Sequence, residues 1–243
     1  KDESELLYQI RRFHSFIWAS GGSFSDYFIH NIDECCWMKD DWPIKAQGAG
    51  GRHYKEAPSG QNYVDQNLDS YTVEYTFKDG AKLYMHGRTM NGCHGDFASY
   101  AHGSKGLGII SQAGHAPAPC KIFKGQSFND PVAWAYPGRE SNPYQDEWNN
   151  LMTAIRDNKP FNECERGVKA SVVSAMGRFA THTGQEVTYD KVLNHDHDLC
   201  PNAEELNMES DAPLKTNPDG NYPVPAPGII KDREYLQITG NNA

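Results

Sequence analysis

The sequence predicts an α+β protein with a largely antiparallel sheet. Three observations carry this. Residues 44–115 show β-like periodicity punctuated by glycine. Two segments of helical periodicity follow, at 144–157 and 164–183. The alternating strand–helix order of a nucleotide-binding fold is missing.

In chain order, residues 10–18 are aromatic-rich and read as a strand, which Ala19-Ser20-Gly21-Gly22 breaks. A helix is expected over 25–38, with Ser23 or Ser25 as N-cap. Asp26 falls in its first turn, where a carboxylate suits the helix dipole. Asp40-Asp41-Trp42-Pro43 ends it. The stretch Tyr71–Phe77 alternates cleanly, Lys78-Asp79-Gly80 turns the chain, and Ala81–Gly87 returns it as a hairpin. Shorter strands are expected near 44–49, 97–102, 107–111 and 120–124, and 125–143 as loop.

In 144–157, Trp148, Leu151, Met152 and Ile155 recur at helical spacing. In 164–183 the apolar stripe is Val168, Val172, Ala175, Met176 and Phe179, with Gly184 at the C′ position. Beyond about 200 the chain is rich in Pro, Asn, Asp and Gly and reads as an extended tail, able to lie across a neighbouring subunit.

Composition narrows the function. The 243 residues are 38% apolar with a formal charge of −9, and no block of like charge or membrane-length apolar run occurs. Nucleic acid and membranes are therefore not expected partners. Six cysteines without a C-x-x-C pair argue against a disulfide scaffold or structural zinc, and Cys35 and Cys36 read as buried thiols.

The stretch "GGSFSDYFIHNIDECCW" (21–37) holds Asp26, His30 and Asp33 at intervals of four and three. On a helix these lie within about 60° of one another. A His one turn from a carboxylate suits proton transfer near neutral pH, but the same spacing also fits a metal site or a solvated face. In "LNHDHDL", His195, Asp196, His197 and Asp198 raise a divalent metal against caps and turns. The glycine clusters "GAGGRHY" (48–54) and "GSKGLG" (103–108) match no phosphate-binding fingerprint and read as strand-end turns. Arg52 stands in uncrowded surroundings and is able to face a polar ligand.

Residues 21–37 resemble the G-G-x-x-x-D-x-x-x-H-x-x-D signature of the Gfo/Idh/MocA oxidoreductases. "PIKAQGAGGRHY", "NPYQDEWNNLMTAIRDNKPFNECERGVKASVVSAMGRFATHTGQEVTYDKVLNHDHDL" and "YPVPAPG" are similar to a bacterial branch of that family, so the resemblance spans roughly residues 5–235. It implies a two-domain protein in which an N-terminal Rossmann domain binds NAD or NADP. The C-terminal domain is then α+β, with a large open, mainly antiparallel mixed sheet and helices packed on one face.

This chain corresponds to the second domain only, with 1–199 as the substrate-binding and catalytic domain and 200–243 as the tail. The Rossmann domain, its glycine fingerprint and the family's Glu-Lys-Pro lysine have no counterpart, as expected of an excised domain. By this resemblance His30 takes a proton from a sugar or polyol hydroxyl, Asp26 orients His30 or binds that hydroxyl, and Asp33 joins the substrate shell. Arg52 is the further substrate-binding candidate. The cofactor would serve the longer protein, with none bound to this chain and no metal. Homo-oligomers through the sheet, a bacterial cytoplasmic or periplasmic location and no activity of the chain alone are the remaining expectations. An NAD-dependent glycosidase and a non-catalytic sugar-binding or oligomerisation module are the alternatives.

Overall fold

The computed structural model describes residues 3–53, 64–138 and 141–237. They form two compact units. The first draws on Lys1–Ile29, Trp42–Asn91 and Ala170–Ala243, the second on His30–Asp41 and Gly92–Lys169. The α+β class with antiparallel pairing holds. The strands divide between two sheets of four, rather than running in one large sheet.

In the first unit, β1 (Lys45–Gly51), β2 (Ser70–Thr76), β3 (Lys82–Arg88) and β8 (Val187–Thr188) lie in the order β3-β2-β1-β8. The predicted hairpin is present, and Gly80 takes φ 87° in its turn, a conformation that suits glycine. Alternation in β2 puts Tyr71, Val73 and Tyr75 on the buried face. The glycines of "GAGG" lie inside β1, correcting the strand-end reading. Gly48 pairs with Val73 and Gly50 with Tyr71, where a side chain at Gly50 would strike Leu68. Tyr54, at the end of that cluster, lies outside the described residues.

The buried part of α5 (Cys164–Thr183) that belongs to this unit contributes Val173, Met176, Phe179 and Ala180 to the core. Burial of Val173, Met176 and Phe179 contributes about 1.5–3 kcal/mol each. Gly177 permits the close approach, since a Cβ there would meet the Tyr75 hydroxyl and the Phe24 ring. Helix propensity favours alanine by about 1 kcal/mol. Overpacking between two buried rings costs about 1–3 kcal/mol. Gly177→Ala is therefore expected to lower the melting temperature, and a melting temperature at or above that of the parent would contradict this packing.

Three expectations are corrected here. Residues 10–18 are helical rather than a strand: α1 (Glu5–Arg11), a 3-10 turn (Phe13–Ser15) and α2 (Ile17–Ser20). The Ser4 side chain caps α1 by accepting from the Leu7 N–H. The reason lies in tertiary contacts. Gln9 is fully buried, donates to the Leu214 carbonyl at 2.8 Å and accepts from Trp18 Nε1 at 2.9 Å.

The expected helix 25–38 instead begins as a five-residue π turn, Phe24–Phe28, followed by α3 (Ile29–Lys39). Ser23 stands at its N-cap without a capping side chain, and its N–H donates to Asn67 Oδ1 at 2.8 Å. Finally, residues 200–237 are not a free extension. Leu214 and Tyr235 are fully buried with Phe16 and Ile17, and Gln66 Nε2 donates to the Pro223 carbonyl at 2.8 Å.

In the second unit, β4 (Ala98–Gly103), β5 (Gly106–Gln112), β6 (Lys121–Phe123) and β7 (Val132–Ala135) form an antiparallel meander. β7 falls in the stretch expected to be loop. All four of its residues are exposed, so no burial alternation marks it in the sequence. Gly103 and Gly106 of "GSKGLG" flank the β4–β5 turn, as expected, while Gly108 lies inside β5, paired with Ala101 and Ile122. Helix α4 (Pro143–Arg156) starts at Asn142, whose side chain accepts from the Tyr144 and Gln145 N–H groups. Its apolar stripe is not core: no residue of α4 is buried, and Trp148 is 62% exposed. Among the described residues, no helix is long and apolar enough to cross a membrane.

Candidate functional site

Helix α3 presents Asn31, Glu34 and Cys35 to β4 and β5 of the second unit. The Glu34 carboxylate organises the contact. Its Oε1 accepts from the hydroxyls of Ser99 on β4 and Ser111 on β5, and from Asn31 Nδ2 at 3.3 Å. Asn31 Nδ2 also donates to Ser99 Oγ at 2.9 Å. The other carboxylate oxygen lies 3.9 Å from His115 Nδ1.

The His115 ring stands between His30, at 4.6 Å between centroids, and Phe97, at 4.9 Å and edge-on. Thus a fixed carboxylate backs His115, and His115 lies against the exposed imidazole of His30. Burial and the neighbouring His115 lower the proton affinity of His30, against the opposing pull of Glu34 and Asp33. This favours a neutral ring, able to accept a proton. Asp33 pairs with Arg166 at 2.8 Å, and the Arg166 guanidinium lies 5.1 Å from the Trp37 ring centroid.

The remaining sequence candidates belong to the first unit. Asp26 pairs with His14, its Oδ2 lying 2.7 Å from His14 Nδ1. Arg52 Nη2 donates to the backbone carbonyls of Asp65 and of Asn67, the latter at 2.8 Å, so the guanidinium shapes the segment that follows the undescribed stretch. His195 engages both ring nitrogens. Nε2 donates to the Asp232 carbonyl at 2.8 Å, and Nδ1 accepts from the His197 N–H at 3.0 Å. Among the described residues, no group of three or more His, Cys, Asp or Glu is placed to hold a metal.

The glycine clusters do not fit a dinucleotide cofactor either. One sits in a paired central strand and the other in a two-strand turn, and neither opens a helix.

The sequence reading missed Glu34 and His115. Glu34 follows His30 by one helical turn, a spacing visible in the sequence. His115 lies on a loop beyond β5, and only the tertiary fold brings it to α3. Burial raises the thiol pKa of Cys35 to about 11 and of Cys36 to about 12, while Cys93 and Cys164 are exposed. A rise of two units leaves on the order of a hundredfold less reactive thiolate. Timed alkylation at pH 8 followed by peptide mass spectrometry is expected to label Cys93 and Cys164 first. Equal labelling of Cys35 or Cys36 would contradict their burial.

No family model matches the sequence, and no curated protein matches it. Solved structures do share its fold. An aldose–aldose oxidoreductase from Caulobacter crescentus is 17% identical with a TM-score of 0.54, over 74% of this chain and 51% of that one. An oxidoreductase domain protein from Kribbella flavida is 17% identical with a TM-score of 0.52, over 69% and 50%. A protein described as an NADPH-dependent oxidoreductase from Desulfitobacterium hafniense is 15% identical with a TM-score of 0.54, over 72% and 50%. The chain thus spans about half the length of each of these proteins. At such identities the likeness concerns the fold, and at that level it agrees with the Gfo/Idh/MocA resemblance.

Proposed function

We propose that this chain is the substrate-binding and proton-handling part of an NAD(P)-dependent oxidoreductase acting on a sugar or polyol hydroxyl. The observation that carries the reading is His30. It is exposed on α3, its ring faces His115, and its surroundings favour the neutral form, on a fold shared with oxidoreductases. In oxidation of a secondary alcohol, the His30 imidazole would take up the hydroxyl proton, and a nicotinamide cofactor would supply the hydride acceptor. That cofactor belongs to the other half of such a protein, so the chain alone is inactive in this reading. Asp33 shares the His30 face at i,i+3 spacing and contributes a polar contact to the substrate. Arg52 supports ligand binding through the segment it shapes. Assembly proceeds through the open face of the β3-β2-β1-β8 sheet, where Glu74 and Tyr84 face solvent.

The test uses a protein in which this chain follows a nucleotide-binding domain. Nicotinamide absorbance is followed with a panel of sugars and polyols, in parent and His30→Ala forms. Substrate-dependent reduction that collapses in the variant supports the reading. Turnover unchanged by the variant removes His30 from the chemistry. Release of the aryl group from an aryl glycoside without net reduced cofactor would reassign the reaction to glycoside cleavage.

A further inference from the structure

We propose that His14 is a ligand-binding imidazole for a neutral polyhydroxylated molecule, presented between Phe13 and Tyr27 with Asp26 behind it. This site goes beyond the His30 reading and requires no redox step.

The chemistry follows from the pair itself. An ionised carboxylate only accepts hydrogen bonds, so the 2.7 Å contact between Asp26 Oδ2 and His14 Nδ1 places the ring proton on Nδ1. In the neutral ring, Nε2 is then a bare acceptor. The His14 side chain is 50% exposed and that of Asp26 only 14%, so the pair is anchored at its carboxylate end and open at the imidazole. The Tyr27 hydroxyl stands 3.5 Å from the same Nδ1, too far to displace the carboxylate.

The flanking rings define the ligand further. Tyr27 stacks on His14 at 5.5 Å and 28°, and Phe13 lies at 3.9 Å and 38°. Both aromatic side chains are more than two-fifths exposed, at 47% and 43%. Their negative faces suit the C–H surface of a saturated ring, and a bare Nε2 calls for a hydroxyl donor. The carboxylate behind the imidazole disfavours an anion.

The backbone holding this group is itself fixed. The His14 carbonyl accepts from Asn67 Nδ2 at 2.7 Å, and the Ser15 carbonyl from the Gln66 N–H at 2.9 Å. Gln66 and Asn67 are buried. The imidazole is therefore presented from a braced turn rather than from a loose one.

The experiment is long-range proton–nitrogen NMR on the full chain with labelled histidine. His14 is expected in the Nδ1–H tautomer, and Asp26→Ala is expected to remove that preference. D-glucose, sorbitol and myo-inositol are then titrated at millimolar concentration, with inorganic phosphate as the anion control. At least one polyol is expected to shift the His14 Nε2 and the Phe13 and Tyr27 ring resonances saturably. His14→Ala is expected to weaken that binding about tenfold, the value of one hydrogen bond.

An Nε2–H tautomer, no saturable shift with any of the three polyols, shifts that survive His14→Ala, or a response to phosphate alone would each overturn the proposal. Saturable shifts here, with no nicotinamide turnover when the chain follows a nucleotide-binding domain, would support this site while the oxidoreductase reading fails.

Discussion

Replacing Glu234 with Gln is expected to lower the stability of the first unit by about 3–5 kcal/mol, the usual cost of breaking a buried ion pair from one side. Arg178 Nε donates to both carboxylate oxygens, at 3.0 and 2.9 Å, and His182 Nδ1 donates to Oε2 at 2.7 Å. Arg178 Nη1 also reaches the Gly21 carbonyl at 2.9 Å, so one guanidinium joins α5, the C-terminal segment and the approach to the π turn. The side chains of Glu234 and Arg178 are 4% and 11% exposed. Glutamine would leave Arg178 charged and buried, and would turn an amide N–H₂ toward groups that are already donors. For a chain of this size, about 2–4 °C accompanies each kcal/mol. Calorimetry and proteolysis of the C-terminal segment check this, and a loss below about 1 kcal/mol would sink the anchoring role.

The same cluster sets a pH dependence. Burial works to raise the Glu234 pKa, but Arg178 and His182 outweigh it and hold the carboxyl down at about 2. An unfolded glutamate binds its proton near pH 4.3. The unfolded state therefore holds more protons between these values, and the stabilisation present above pH 4.3 is lost as pH falls toward 2. His182 acts in the same direction at higher pH. Burial lowers its pKa, and its Nε2 already accepts from the Tyr71 hydroxyl at 3.2 Å. The unfolded histidine takes up its proton near pH 6.5 while the folded one stays neutral. Stability should thus decline as pH falls below about 6.5. In Glu234→Gln, the slope between pH 2 and 4.3 should flatten.

Loss of the His30 imidazole is expected to cost turnover about 10²–10⁴-fold, the range for a positioned general base. The pH profile separates this chemistry from a structural effect. A base acts in its neutral form, so activity should be present above the His30 pKa and lost as pH falls through it. Burial and His115 lower that pKa, placing the acid limb below the ordinary histidine value near 6.5. Glu34 opposes the shift, so Glu34→Gln should move the limb further down, and His115→Asn should move it up. A limb that stays fixed in both variants would detach Glu34 and His115 from the His30 titration.

The sequence by itself determined the elements whose signals are local. The β2–β3 hairpin followed from strict alternation and an Asp-Gly turn. Helices α4 and α5 followed from 3.6-residue periodicity to within a residue of their ends, with Gly184 at the C′ position of α5, where it takes φ 69°. His30 stood out because its glycine–Asp–His spacing is also local.

Tertiary structure decided the partners. Residues 10–18 are helical because the buried Gln9 finds its acceptor at Leu214, at the other end of the chain. Asp26 pairs with His14, a residue upstream of its own helical run, and Glu34 is held by two serines from separate strands. The composition of residues 200–237 suggests an extended tail, yet Glu234 and Tyr235 are buried there. Periodicity reports which face of an element is apolar. The partner of each buried polar group is set by chain segments distant in sequence, so only the folded chain could assign it.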